Sequence, residues 1–262
     1  MKSLIVLLLL TVAAASGLAA DLAPTGVLRA SFLGLNPVQG KVDLATGAIT
    51  GPVADLVQEL ARRLNVPYKL LPEPDAAHVV ADLQSGSADI AFLANDPARA
   101  AIVRFSDPYA LMYNAYVVAA ESSIQRTAEA DRDGYRIAAV RGQTQQLFLS
   151  GALKHASVRI FENMPPQAEL ERLLSVHEID AFGVNRQRAE EAAASSATLR
   201  ALNDNFLAVE QSIIVVMDAK ADAKILELNR FLGEVRASGF VKTSLQRAKL
   251  VGVAAAPDGT KH

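Results

Sequence analysis

The chain has 262 residues, with 26 basic and 28 acidic side chains, a formal charge of −2, no cysteine and no tryptophan. Without cysteine there is no disulfide, no thiolate metal site and no lipid-modified cysteine. The near-neutral balance offers no basic face for nucleic acid or an anionic membrane and leaves small polar ligands as the partners to consider.

Met1-Lys2-Ser3 precedes an apolar run from Leu4 to Ala15 and then Ser16-Gly17-Leu18-Ala19-Ala20-Asp21. One positive charge, about a dozen apolar residues and a small-residue exit form the export pattern, and the run is too short to cross a bilayer. Residues 1–20 are therefore read as a signal peptide cleaved after Ala19 or Ala20. The mature chain is expected to be soluble, exported and not lipid-anchored. Its length of about 240 residues suits one large domain or two smaller ones with separate cores.

Val27–Leu33, bounded by Gly26 and Gly34, reads as a strand. After a turn-rich loop, Thr50-Gly51-Pro52 signals a helix start, and Val53, Leu56, Val57, Leu60, Ala61 and Leu64 follow at helical spacing. The alternation continues with strand Tyr68–Leu71, helix Ala76–Gln84, strand Asp89–Leu93 and a short helix opening near Asp96-Pro97. A second series runs through strand Arg136–Val140, helix Gln145–Leu149, strand Val158–Phe161, helix Gln167–Leu174, strand Ile179–Val184 and helix Arg188–Ala193. Such alternation implies two layered α/β units with largely parallel sheets.

Two long segments rich in Val, Ile and Tyr, Tyr109–Ala120 and Phe206–Met217, lack a helical period and read as extended strands bracketing the second series. If one crosses out and the other back, lobe 1 is discontinuous (21–115 plus 209–262), lobe 2 is 116–208, and the two strands form a hinge. A closing helix with Ile225, Leu228, Leu232 and Val235 before Gly239 returns to lobe 1. Asp82–Phe92 echoes Arg172–Phe182, so the loops after both strands are expected to face one cleft.

Several segments in this order carry a resemblance: the opening strand before Asn36-Pro37, Thr50-Gly51-Pro52-Val53-Ala54-Asp55-Leu56, Gly86-Ser87-Ala88-Asp89-Ile90, and Pro97-Ala98-Arg99 six residues before Phe105-Ser106-Asp107-Pro108-Tyr109. Val140-Arg141-Gly142-Gln143-Thr144-Gln145 and Ile179-Asp180-Ala181-Phe182 extend it. Together they resemble the family 3 periplasmic solute-binding proteins, the amino-acid-binding components of ABC transporters. The resemblance implies a two-lobed periplasmic-binding-protein fold, the type II Venus flytrap, with two hinge strands that shuts on its ligand. It further implies a periplasmic monomer without a cofactor. That protein would capture a small carboxylate-bearing, amino-acid-like ligand between its lobes for an inner-membrane ABC permease.

Arg99 falls where the family grips the ligand's carboxylate, which a guanidinium does through paired charge-assisted hydrogen bonds. Gly142-Gln143-Thr144 follows a strand and opens a helix, a ready anion site as well as a plain cap. Asn185 stands where relatives place an aspartate for the ammonium, and Leu35 where an aromatic stacks on the ligand. The Asp89–Arg99 stretch is shorter than the family's by about two residues, so Asp96 reads either as a substitute ammonium partner or as the cap before Pro97. Ala94, Asn36 and Phe32 complete the expected ligand-binding set, with Phe32, Phe92 and Phe182 equally readable as core.

His78, His155, His177 and His262 are scattered and imply no metal site. There is no Gly-x-Ser-x-Gly elbow and no phosphate-binding glycine loop. The chain is expected not to be an enzyme. Two alternatives remain: an exported dehydratase on the same fold, with Glu59 or Glu178 as general acid or base, and a ligand sensor acting on a receptor.

Overall fold

The computed structural model describes residues 21–34 and 36–260. The expected signal peptide, Leu35 and His262 lie outside them. In chain order the elements are β1 (Leu28–Leu33), the short strands β2 (Lys41–Val42) and β3 (Ile49–Thr50), α1 (Pro52–Leu64), β4 (Tyr68–Glu73), α2 (Ala76–Ser85), β5 (Ile90–Ala94), a 3-10 turn at Pro97–Arg99 and β6 (Val103–Ala119). There follow a second 3-10 turn at Thr127–Ala130, β7 (Arg136–Val140), α3 (Thr144–Ala152), β8 (Ser157–Phe161), α4 (Gln167–Ser175), β9 (Ala181–Asn185), α5 (Arg186–Ala194), β10 (Leu199–Ala201) and β11 (Leu207–Val216). The chain closes with α6 (Ala221–Ala237), α7 (Phe240–Arg247) and β12 (Val253–Ala255).

The chain divides into two compact units. Unit 1 runs to Leu111 and takes in Glu210–Leu250 and the residues from Ala254 on, while unit 2 comprises Met112–Val209 with Val251–Val253. The strands β6 and β11 carry the chain from one unit to the other.

In unit 1 the strands lie in the order β4-β1-β5-β11, the first three parallel and β11 antiparallel to β5. On α1 the apolar stripe expected from the sequence is buried from Val53 to Leu64. Gly51 opens this helix at φ 116°, and a Cβ there would lie 2.9 Å from the Cα of Gly40, so both backbone and space demand glycine. Along β5 and β11, Ala91, Leu93 and Ile214 pack with Val79 and Leu83 of α2, while Phe92 on the other face meets the Tyr109 ring edge-on at 5.8 Å.

Unit 2 repeats the plan with β6-β9-β7-β8, in which β9, β7 and β8 are parallel and β6 is antiparallel to β9. Both faces of this sheet are covered. Ala115, Val117, Ala138, Val140 and Phe182 belong to one core, and Tyr116, Val118, Ile137, Ala139 and Ala181 to another.

One bonding motif recurs in the two units. Asp89 enters β5 with its N–H donating to Arg29 O (2.9 Å), and its carboxylate accepts from Arg29 N (2.9 Å), Nε (3.0 Å) and Nη2 (2.6 Å). Arg29 Nη1 also donates to the carbonyl of Gly86, which has φ 72°. In unit 2, Asp180 N–H donates to Arg136 O (2.8 Å), Asp180 accepts from Arg136 N (2.8 Å), and Arg136 Nη2 donates to the carbonyl of His177, at φ 54°. The aspartates and their left-handed turns correspond one to one. The equivalence thus lies one residue away from the letter-by-letter match of Asp82–Phe92 with Arg172–Phe182, and it pairs Ala94 with Asn185 as the last residues of β5 and β9.

Differences from the sequence reading lie at short elements. The hairpin β2–β3, β10, β12 and α7 are too brief or too polar for a periodic signal. The first crossing strand begins at Val103, so Phe105–Tyr109 lies within it and Pro108 does not end it. Gly239, at φ 75°, marks a sharp joint after which α7 begins.

Asp89→Ala is expected to cost about 2–4 kcal/mol, because it leaves the partly buried Arg29 guanidinium and the Arg29 N–H without their partner together. Asp180→Ala should cost less, since the Arg136 Nε–Asp180 contact is 3.7 Å. Denaturant unfolding of both variants checks the order; a loss at Asp89 below that at Asp180 would contradict it.

Candidate functional site

The candidate residues of unit 1 gather at the carboxyl ends of its parallel strands, where α/β sheets bind ligands. Beyond β5, Asn95 is fastened to Glu210 by its N–H to Glu210 O (2.9 Å) and by its Nδ2 to Glu210 Oε2 (3.0 Å). Asp96 Oδ1 then accepts from Ala98 N (3.0 Å), capping the 3-10 turn, while Arg99 N donates to Asp96 O (2.9 Å). The Arg99 guanidinium lies with Nη1 3.3 Å from Asp96 Oδ2 and 3.4 Å from Ala94 O. One carboxylate therefore both caps the 3-10 turn, as one of the two readings of Asp96 had it, and pairs with Arg99.

These contacts steer Arg99 without exhausting it. They use only Nη1, and the side chain keeps 29% of its surface exposed. The remaining donors suit a carboxylate taken in fork geometry.

After β1, Asn36 builds a turn. Its Oδ1 accepts from Val38 N (3.1 Å) and its carbonyl from Gln39 N (2.9 Å) and Gly40 N (3.0 Å). The turn delivers Gln39, whose Oε1 accepts from Leu33 N (2.8 Å). Phe32, Phe92 and Phe182 are all fully buried. A Cβ on Gly40 would sit 3.0 Å from the Phe32 ring, so the core reading of Phe32 is the one the structure supports.

In unit 2, Gly142 turns the chain at φ 71° from β7 into α3, with space around it that only the backbone angle reserves for glycine. The N-cap residue Gln143 makes no side-chain cap bond; the Gly142 N–H is taken by Gln146 Oε1 (3.1 Å) and that of Gln143 by Val140 O (3.2 Å), and residues 142–144 are exposed. The α2 and α5 termini, by contrast, are capped by Asp75 and Asn185. The first turn of α3 therefore presents uncapped N–H groups beside the Thr144 hydroxyl, an arrangement that favours negative charge.

Asn185 ends β9, lies opposite Asn114 of β6, and accepts from Arg188 N at 2.9 Å. One lone pair of its oxygen thus serves the α5 cap. For a ligand Asn185 has its Nδ2–H donors and the second lone pair of Oδ1, but no charge to attract an ammonium.

Three anchoring side chains were not singled out from the sequence. Arg186 fastens the 202–205 loop through Nε to Asn205 Oδ1 (2.7 Å) and Nη2 to the carbonyls of Leu202 (3.0 Å) and Asp204 (2.7 Å). Gln145, the residue after Thr144, donates through Nε2 to Asn114 Oδ1 at 2.6 Å, and both are buried. The available signal was a lone amide within the apolar run of Tyr109–Ala120.

Neither carboxylate weighed for acid–base chemistry is tuned as an acid. Arg62 and then Arg63 hold Glu59 down to about 2, and Arg172 and then Arg159 hold Glu178 below the usual range. Burial and the neighbouring Asp82 instead push Glu73, at the end of β4, upward. Among the described residues no group of three His, Asp or Glu is placed to hold a metal ion, and no helix is long and apolar enough to cross a membrane.

Residues 37–247 match the model of the bacterial extracellular solute-binding proteins, family 3. A search of the curated proteins finds no match. Among solved structures, the chain is similar to the periplasmic VFT2 domain of Bordetella pertussis BvgS, with 20% identity, TM-score 0.63, and coverage of 90% of this chain and 97% of that one. An amino acid ABC transporter substrate-binding protein from Streptococcus pneumoniae bound to L-arginine matches with 20% identity, TM-score 0.58, and coverage of 87% and 96%. An ancestral cyclohexadienyl dehydratase matches with 22% identity, TM-score 0.57, and coverage of 88% and 95%. At these identities the likeness establishes the fold, the two-lobed Venus flytrap.

The pairing of Glu59 gives a pH signature. Its folded-state pKa is depressed, so its stabilisation is full above the unfolded carboxylate value of about 4.3 and is lost as pH falls toward 2. Unfolding measured from pH 6 down to pH 2.5 should show wild type ahead of Glu59→Gln at the upper end and the gap closing at the lower. A gap that widens on acidification would mean the carboxyl is protonated when folded.

Proposed function

The chain belongs to the family 3 bacterial extracellular solute-binding proteins, and on that premise we propose that it is an exported binding protein for a small carboxylate, delivered to an ABC transporter. The carrying observation is Arg99, partly exposed beyond β5 and steered through one nitrogen by Asp96 and the Ala94 carbonyl. In this reading its free donors take the ligand's carboxylate, and the uncapped start of α3 with Thr144 takes the same ligand from the other unit. The two units act as the lobes, residues 1–20 as a cleaved signal peptide, and the mature monomer works in the periplasm with an inner-membrane permease as its partner.

Ligand class follows from the chemistry that replaces the usual ammonium site. Asn185 carries no charge for an ammonium, and the charge of Asp96 is shared with Arg99, so in this reading the ligand is defined by its carboxylate more than by an α-amino group. Amino acids and related organic acids are the candidates. Two structural neighbours named above point to other uses of the fold, a dehydratase and a periplasmic domain of BvgS. The dehydratase reading needs a general acid or base; Glu59 and Glu178, held ionised by their arginines, suit a general acid poorly. A receptor partner in place of a permease would leave the binding chemistry unchanged.

A thermal-shift screen of the purified protein against L-amino acids and simple organic acids should show stabilisation by at least one carboxylate. Arg99→Ala should weaken that binding by about a hundredfold or more, and Arg99→Lys by about tenfold, because lysine lacks the planar fork. Stabilisation by none of them, or wild-type affinity in Arg99→Ala, would overturn the proposal.

A further inference from the structure

Inside unit 2, one buried amide touches three segments that are remote in sequence. Asn114 lies on β6 and is fully buried. Its Oδ1 receives Gln145 Nε2 of α3 at 2.6 Å. Its Nδ2 lies 3.4 Å from the carbonyl of Leu207, the first residue of β11, and 3.3 Å from that of Met112 on its own strand. Its backbone carbonyl accepts from Phe206 N at 3.0 Å, and across the ladder it is paired with Asn185.

The neighbouring rings follow the same connections. Phe206 stacks on Tyr116 of β6 at 4.4 Å and tilts against Phe148 of α3 at 6.0 Å. Gly183 leaves the room: a Cβ there would lie 3.0 Å from Leu149 and 3.2 Å from Phe206.

An apolar strand interior does not require an amide for stability, since replacing both partners of a buried hydrogen bond by apolar groups of the same shape can be nearly neutral. What a satisfied buried amide supplies is a fixed geometry among the groups it bonds. Here those groups are the residue after Thr144, the start of the returning strand, and, by strand pairing, the residue that caps α5.

We propose that Asn114 is a positioning residue that ties the first turn of α3 to the start of the returning strand β11, so that a disturbance of either is felt at the other. Its consequence for ligand binding rests on the role proposed above for residues 142–144. Beside the Phe206–Phe148 ring contact and the Phe206 N–H bond to the Asn114 carbonyl, the side-chain route runs from Gln145 to Asn114 to Leu207, and severing its first link loosens its far end.

The test is hydrogen–deuterium exchange of the purified protein without ligand, followed in peptides spanning 142–149 and 203–209. Gln145→Met alters α3 alone yet leaves Asn114 Oδ1 buried and unpaired, and exchange should rise about tenfold in both peptides. Asn114→Leu should do the same, and the double variant should exchange no faster than Asn114→Leu, since one chain has been cut twice. Should Gln145→Met fail to fold, Gln145→Asn keeps the amide a methylene short of Asn114 and carries the same expectation. Faster exchange confined to 142–149, or additive effects in the double variant, would overturn the proposal. Failure to bind any carboxylate would sink the proposed function and leave this result standing.

Discussion

The clamp between a strand arginine and the aspartate entering the neighbouring strand sets everything that follows in each unit. A one-residue slip would turn every side chain of a strand to the other face of the sheet. Asp89 prevents it in unit 1 by bonding both backbone and guanidinium of Arg29, and Asp180 bonds the backbone of Arg136 in unit 2. With β5 and β9 fixed at their entry, their exits are fixed too. Ala94 and Asn185 emerge at equivalent points, and the chemistry of each half begins there.

From these points the units diverge. Unit 1 continues into a tight turn in which Asp96 both caps and steers, setting Arg99 with unused donors toward solvent. Unit 2 continues into the Asn185 cap and, on the adjacent strand, the glycine turn that leaves α3 uncapped. Taken separately, each unit offers positive or hydrogen-donating groups, Arg99 in one and the first-turn N–H groups of α3 in the other. Each suits an acceptor-rich group, which is why the proposed ligand is a carboxylate.

Much of this was legible in the sequence because it rests on periodicity and local chemistry. The Val53–Leu64 stripe, the alternation of strands and helices, Arg99 and the glycine turn at 142 all announce themselves within a few residues. The cap formed by Asp96 was legible too, as one of two readings. What stayed hidden depends on tertiary placement. Nothing local distinguishes Arg186 as the anchor of the 202–205 loop, and the bond from Gln145 to Asn114 joins residues 31 apart. The repeat was visible but misregistered by one position, because aspartate bonding, not the run of small and apolar letters, defines the equivalence.

In the proposed function the recognised group is a carboxylate. Titration calorimetry of the purified protein with the best-binding amino or organic acid and with its neutral carboxamide analogue tests it most directly. In the proposed reading Arg99 binds the anion through charge-assisted hydrogen bonds, so the carboxamide should bind about a hundredfold more weakly or not at all. Equal affinities for the two would contradict the account.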